Sequence, residues 1–302
     1  MGTRVGVVGL GSMGMGAARS LLRAGFDCAG CDLDEGRRAA YAAAGGKAVA
    51  SVAEAAEGAE ALVVMVVNAA QTEAVLIGAD GAAQALRKGA VVISSATMAP
   101  ADARRLAARA EAVGLRYLDA PISGGALRAE EGTITVMASG RPGVLEVARP
   151  VLSAIAATVH DLGEEPGIAA AYKIVSQLLA GVHIAAACEA MTFAARLGLD
   201  LPRVHEVITG SAGNSWMFEN RVPHILDGDY SPRSAVDIFT KDLGIVAGMG
   251  LSEKFPLTMA SGALQMFVAT AAAGMGRDDD ASVARMLAEI TGAELPPVKA
   301  RA

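Results

Sequence analysis

Lys173 is the only lysine or arginine between Gly167 and Ala195, in a stretch rich in alanine. An ammonium among Ala169, Ala170, Ala171, Ile174 and Val175 either snorkels to the surface or is held in a cleft. Ser176, Gln177 and Ala180 follow it at i+3, i+4 and i+7, on the same face of a helix. Desolvation among those alanines would bring the amine below the ordinary lysine value of about 10.4. It could then accept the proton of an alcohol while hydride leaves the carbon. Asp119 and Asp242 are weaker choices for the base, the first because it precedes a corner on the strand side, the second because Lys241 adjoins it. His183 points nearly a quarter-turn from Lys173 and stays outside the set.

Gly9-Leu10-Gly11-Ser12-Met13-Gly14 fits G-x-G-x-x-G. Among 35 glycines the pattern alone is weak, but here it follows an apolar strand and opens a helix. In that setting the first glycine makes the turn, the second admits a pyrophosphate and the third lets helix and strand close together. The helix N-terminus then faces the phosphates. Asp32, at the end of the second strand, can accept from the ribose hydroxyls and would repel a 2′-phosphate, so NAD is expected rather than NADP. The alternative is a generic tight turn followed by a helix cap.

Asp119-Ala120-Pro121-Ile122-Ser123-Gly124-Gly125 follows another strand and carries no ordinary hairpin signal. A serine beside two glycines can present backbone N–H groups to a carboxylate, although a plain loop reads equally well. Asn68 and Thr97 are expected to end the third and fourth strands, on the carboxyl edge where ligands of such sheets bind. Lys241-Asp242 reads by itself as an ordinary exposed pair. No metal site is expected, since the four histidines are scattered. Cys28 and Cys31 form C-x-x-C within a strand, where residues three apart face opposite ways, so they read as core packing.

These residues need elements to position them. Strands are expected at Arg4–Val8, Asp27–Cys31, Ala61–Val67, Ala90–Ser94, Arg116–Asp119 and Thr133–Ser139. Helices are expected at Met13–Arg23, at Asp34–Ala44 and after Pro100. That alternation predicts βαβ units and a doubly wound, mostly parallel α/β sheet of Rossmann type. Past Gly163 the pattern turns helical. A helix over 167–196 would be about 45 Å long and would bridge two lobes. Pro202–Gly210, Pro232–Gly250, Pro256–Ala273 and Ala281–Thr291 read as further helices. The expected domains are an NAD-binding domain over 1–162 and an all-α domain over 163–302.

The 302 residues suit two domains. A net charge of −6 argues against a nucleic-acid partner. Three cysteines make no disulfide framework and fit a reducing compartment. The start lacks the sustained apolar run of a signal peptide, and Leu178–Met191, broken by His183 and Glu189, reads as too short and too polar to span a bilayer. A soluble, cytoplasmic protein is expected.

Together, VGLGSMGMG, DAPISGG, the lysine of AAYKIVSQLLAG and KDLG resemble the β-hydroxyacid dehydrogenase family, and the resemblance covers nearly the whole chain. It implies a Rossmann domain and a helical domain joined by the long helix, with oligomers built through the helical part. It also implies that Lys173 is catalytic and that Ser123, Gly124 and Gly125 hold a substrate carboxylate. Thr97 and Lys241 would lie near the nicotinamide end of NAD. The chain departs from the family at Gln177, Ser176, Ala169 and Ala96, which places the substrate-hydroxyl contacts, among them Gln177, apart from the common pattern. KIVSQLLAGVH, NSWMFENRVPHIL and DIFTKDLGIV resemble the branch that oxidises the 2-hydroxyl of L-threonate to 2-oxo-tetronate. The rival readings are a reductase of a short semialdehyde or glyoxylate, and a non-catalytic dinucleotide-binding module.

Overall fold

The computed structural model describes residues 3–299, so the outermost positions of the two expected domains lie outside the described residues. Two compact units divide between Ile174 and Val175.

The first unit begins with β1 (Arg4–Val8), α1 (Ser12–Arg23), β2 (Asp27–Cys31), α2 (Glu35–Ala43), β3 (Lys47–Val49), α3 (Val52–Ala56), β4 (Ala61–Val64) and α4 (Ala69–Ile77). It continues with β5 (Val91–Ser94), α5 (Pro100–Ala112), β6 (Arg116–Asp119), β7 (Ile122–Ser123), α6 (Gly125–Glu131), β8 (Ile134–Gly140), α7 (Val144–Ile155) and β9 (Ala156–Asp161). The sheet runs β3-β2-β1-β4-β5-β6-β8-β7, with β9 also on β8. From β3 to β6 every pairing is parallel; β8 is antiparallel to β6 and β7. The order reverses at β1 and β4, the switch point where such sheets open a crevice.

The central strands β4 and β5 are buried along their whole length and almost wholly apolar, because both faces of the sheet are covered there. Val63 and Ile93 enter one buried cluster, Leu62, Val64 and Val92 the other. Cys28 and Cys31 likewise fall into different clusters, and both are free thiols, as packing residues on opposite faces of β2 must be.

Several sequence expectations need correction. The third expected strand stops at Val64, so Asn68 ends no strand; it caps α4, its side chain accepting from the Gln71 N–H. Thr97 lies three residues beyond the end of β5, in the segment leading to α5. The DAPISGG segment contains β7, which pairs with β8.

α8 (Ile168–Arg196) is continuous over 29 residues, and the division between the units falls inside it. It is long and apolar enough to cross a membrane by length and composition, contrary to the expectation from Leu178–Met191, and half of its most apolar window is buried within the protein.

The second unit adds α9 (Leu201–Thr209), α10 (Trp216–Asp227), α11 (Val236–Ser252), α12 (Thr258–Thr270) and α13 (Val283–Thr291). The helix expected from Pro232 starts only at Val236, and α10 was not expected. Phe239 stacks on Phe267 in its core, with Val222, Leu243 and Val283 fully buried. Arg221 grips buried Asp280 through Nε at 2.6 Å and Nη2 at 3.1 Å. His224 lies between Asp279 and Arg233, each at 2.7 Å. Arginine has only donors, so His224 Nε2 must accept and Nδ1 must carry the proton to Asp279.

Candidate active site

The glycine loop joins β1 to α1 at the switch point. A Cβ on Gly14 would overlap the Gly9 carbonyl oxygen, so only glycine lets helix and loop approach this closely. Gly11 precedes α1 without a side-chain cap, and its missing side chain opens onto Arg37 at 3.8 Å. The first-turn N–H groups, beginning at Ser12 and Met13, therefore have no side chain supplied as an acceptor, which is what an incoming phosphate requires.

Asp32 follows β2 directly. Its Oδ2 accepts from the Leu10 N–H at 2.7 Å, and Oδ1 from the Asp34 N–H at 2.9 Å. It thus shapes the glycine loop while keeping lone pairs for ribose hydroxyls. Arg37 Nη1 stands 3.5 Å from Oδ2. Sequence reasoning missed this cation, although the spacing Asp32-Leu33-Asp34-Glu35-Gly36-Arg37 puts Arg37 in the first turn of α2 once Asp34 is recognised as its cap. The cradle fits the adenosine and pyrophosphate half of NAD.

The second cluster gathers around β6. Asp119 ends β6 and is 1% exposed. Its Oδ2 accepts from the N–H groups of Gly167 and Ala170, both at 2.9 Å. Burial pushes its carboxyl up to about 6, partly offset by those two bonds and by the Ser139 hydroxyl. Four residues on, Ser123 pairs with Thr135 of β8, and Gly124 turns the chain at φ +133°. Gly125 also has positive φ and is exposed. Lys173 lies one turn past Ala170 on α8 and is 7% exposed, so it does not snorkel.

In the second unit Gln177 is 8% exposed, and its Nε2 donates to Asp242 Oδ2 at 2.6 Å. Asp242 is 1% exposed, with Lys241 Nζ 2.7 Å from its Oδ1. The Lys241-Asp242 pair is therefore partly buried and engages the Gln177 amide, unlike the exposed pair expected from sequence. No signal within KDLG itself reveals a partner 65 residues away. Among the described residues no group of acidic, histidine or cysteine side chains could hold a metal.

Residues 4–163 match the family of the NAD-binding domain of 6-phosphogluconate dehydrogenase, and residues 167–287 match the NAD-binding family of NADP-dependent 3-hydroxyisobutyrate dehydrogenase. The chain is 51% identical to L-threonate dehydrogenase of Cupriavidus necator, over 98% of this chain and 99% of that protein. It is 30% identical to human mitochondrial 3-hydroxyisobutyrate dehydrogenase, over 95% and 87%. A crystal structure of 3-hydroxyisobutyrate dehydrogenase from Salmonella typhimurium superposes with a TM-score of 0.90 at 51% identity, covering 94% of this chain and 99% of that one. A nucleotide cradle at the switch point and family likeness across both units lead to one conclusion: the chain belongs to the 3-hydroxyisobutyrate dehydrogenase-like family and is an NAD-dependent hydroxyacid dehydrogenase.

Proposed function

We propose that the enzyme oxidises the 2-hydroxyl of L-threonate to 2-oxo-tetronate. The observation that carries this reading is half-identity, over almost the full chain, to several enzymes named L-threonate dehydrogenase. NAD, once bound, supplies the hydride acceptor. Gly9, Gly11, Ser12, Met13 and Gly14 hold its pyrophosphate and Asp32 its adenosine ribose, with Asn68, Thr97 and Lys241 assigned to the cofactor by the family resemblance. Ser123, Gly124 and Gly125 hold the substrate carboxylate; two successive glycines at positive φ, the second of them exposed, support this, because they turn the chain without placing a side chain of their own over the backbone. Lys173 takes the proton of the reacting hydroxyl and returns it in the reverse direction. Gln177, held by Asp242, contacts a substrate hydroxyl.

A second reading, reduction of a short semialdehyde, draws on the 3-hydroxyisobutyrate dehydrogenase from Salmonella typhimurium. Rates of NADH formation at 340 nm across three- to five-carbon hydroxy acids separate the two. L-Threonate as the best substrate is the expected result. Turnover with 3-hydroxyisobutyrate alone would favour the second reading, and no turnover with any of them would overturn both.

We also infer self-association. Tyr172, Val175, Leu179 and Phe193 form an exposed apolar stripe along α8. A second copy of the chain covers it better than lipid does, since Glu189, exposed on the same helix, is costly in hydrocarbon. The acidic net charge and three free, buried thiols support a cytoplasmic protein without a nucleic-acid partner.

A further inference from the structure

Asp119 is a buried carboxylate that the proposed chemistry does not use. Several elements contribute the groups packed against it. At the entry to α8 these are the N–H groups of Gly167, just before the helix, and of Ala170 in its first turn, both on Oδ2. On β8 it is the Ser139 hydroxyl, which donates to Asp119 while accepting from the Ala169 N–H at 3.0 Å. Tyr117 lies on its own strand, and Ser94 is its register partner on β5. Arg104 of α5 packs against Gly167. The start of α8 is thus tied to β6 and β8 through three consecutive or near-consecutive N–H groups, and β8 also fixes Ser123 through its pairing with Thr135.

We propose that Asp119 is a positioning residue for the reaction: its carboxylate holds the first turn of α8 and so sets where Lys173 stands relative to the Ser123–Gly125 corner. This rests on the reading of Lys173 as the proton acceptor. Lys173 follows Ala170 by one turn, about 4.5 Å along the axis, and side chains on a helix lean back toward its N-terminus. A shift in that first turn therefore moves the amine directly, and displacement of about 1 Å can cost about a hundredfold in rate.

The ionised carboxylate is not retained for stability. Burial raises its folded value to about 6, above the ordinary carboxylate value of about 3.9. The native state then binds its proton more tightly than the unfolded chain, so stability falls as pH rises from about 4 to about 6 and stays lower at neutral pH. A charge that costs stability yet holds the helix bearing Lys173 is understandable as a functional compromise.

The test is Asp119→Asn, with Lys173→Ala in parallel, assayed as reduction of 2-oxo-tetronate with NADH between pH 5 and 8 and by thermal unfolding. Wild-type kcat should fall below about pH 6 as Asp119 takes up a proton. Asp119→Asn should keep its Tm or raise it, bind NADH normally, lower kcat about tenfold or more with little change in KM, and lose the fall below pH 6. Wild-type kcat and pH profile in this variant, or a kcat loss that merely tracks a lower Tm, would overturn the proposal. Should Asp119→Asn fail to fold, Ser139→Ala gives the same decision. Removing the hydroxyl that holds the carboxyl down should move the acid limb to higher pH, and an unmoved limb would overturn it. Full turnover by Lys173→Ala would instead sink the reading of the lysine and leave the Asp119 geometry standing.

Discussion

Asp32 shows how much a single side chain carries at the cofactor site. It binds the Leu10 N–H inside the glycine loop and sits 3.5 Å from Arg37. Its charge would repel a 2′-phosphate, whereas Arg37 alone would welcome one. The wild-type enzyme should therefore favour NAD over NADP in kcat/KM, and Asp32→Ala should narrow or invert that preference. Equal specificity constants for the two cofactors in the wild type would contradict this account of Asp32. The glycine spacing and the aspartate were legible in the sequence because strand, turn and helix are local. Arg37 beside Asp32 was not, because the expected helix start at Asp34 places the residue but not the direction of its long side chain.

At the scale of elements, the main strands and helices follow from apolar runs and caps. Asp34 accepts from the Arg37 N–H at 3.0 Å and so starts α2. Asp34→Ala should cost about 1 kcal/mol in urea unfolding; an unchanged midpoint would show the cap idle. What the sequence hid has physical reasons. Pro223 lacks an N–H and reads as a breaker, but α10 runs through it because Phe218, Val222 and Ile225 are buried on one face. The strands β3 and β7 have three and two residues, too short for any periodicity. Asp119 meets the start of α8 across 48 residues of chain, a contact that no local pattern encodes. The same holds for Asp242 and Gln177.

For the whole molecule, the exposed stripe on α8 makes a quantitative expectation. Phe193 is 63% and Val175 61% exposed in the single chain, and burying such side chains is worth about 1.5–3 kcal/mol each. Light scattering should give a particle of at least twice the chain mass. Val175→Glu with Phe193→Glu should reduce it to one chain without loss of helical signal. A wild-type monomer would remove self-association from the account. Composition foretold a chain large enough for two domains, but which face of the longest helix stays uncovered emerged only once its other faces were packed.

The central claim is that Lys173, buried one turn past the α8 anchor, moves the proton of the reacting alcohol. Its most direct test is kcat for L-threonate oxidation by Lys173→Ala, with NAD affinity measured on the same sample. The expected result is a drop of roughly 10²–10⁴-fold with NAD binding intact; turnover within a small factor of wild type would contradict it.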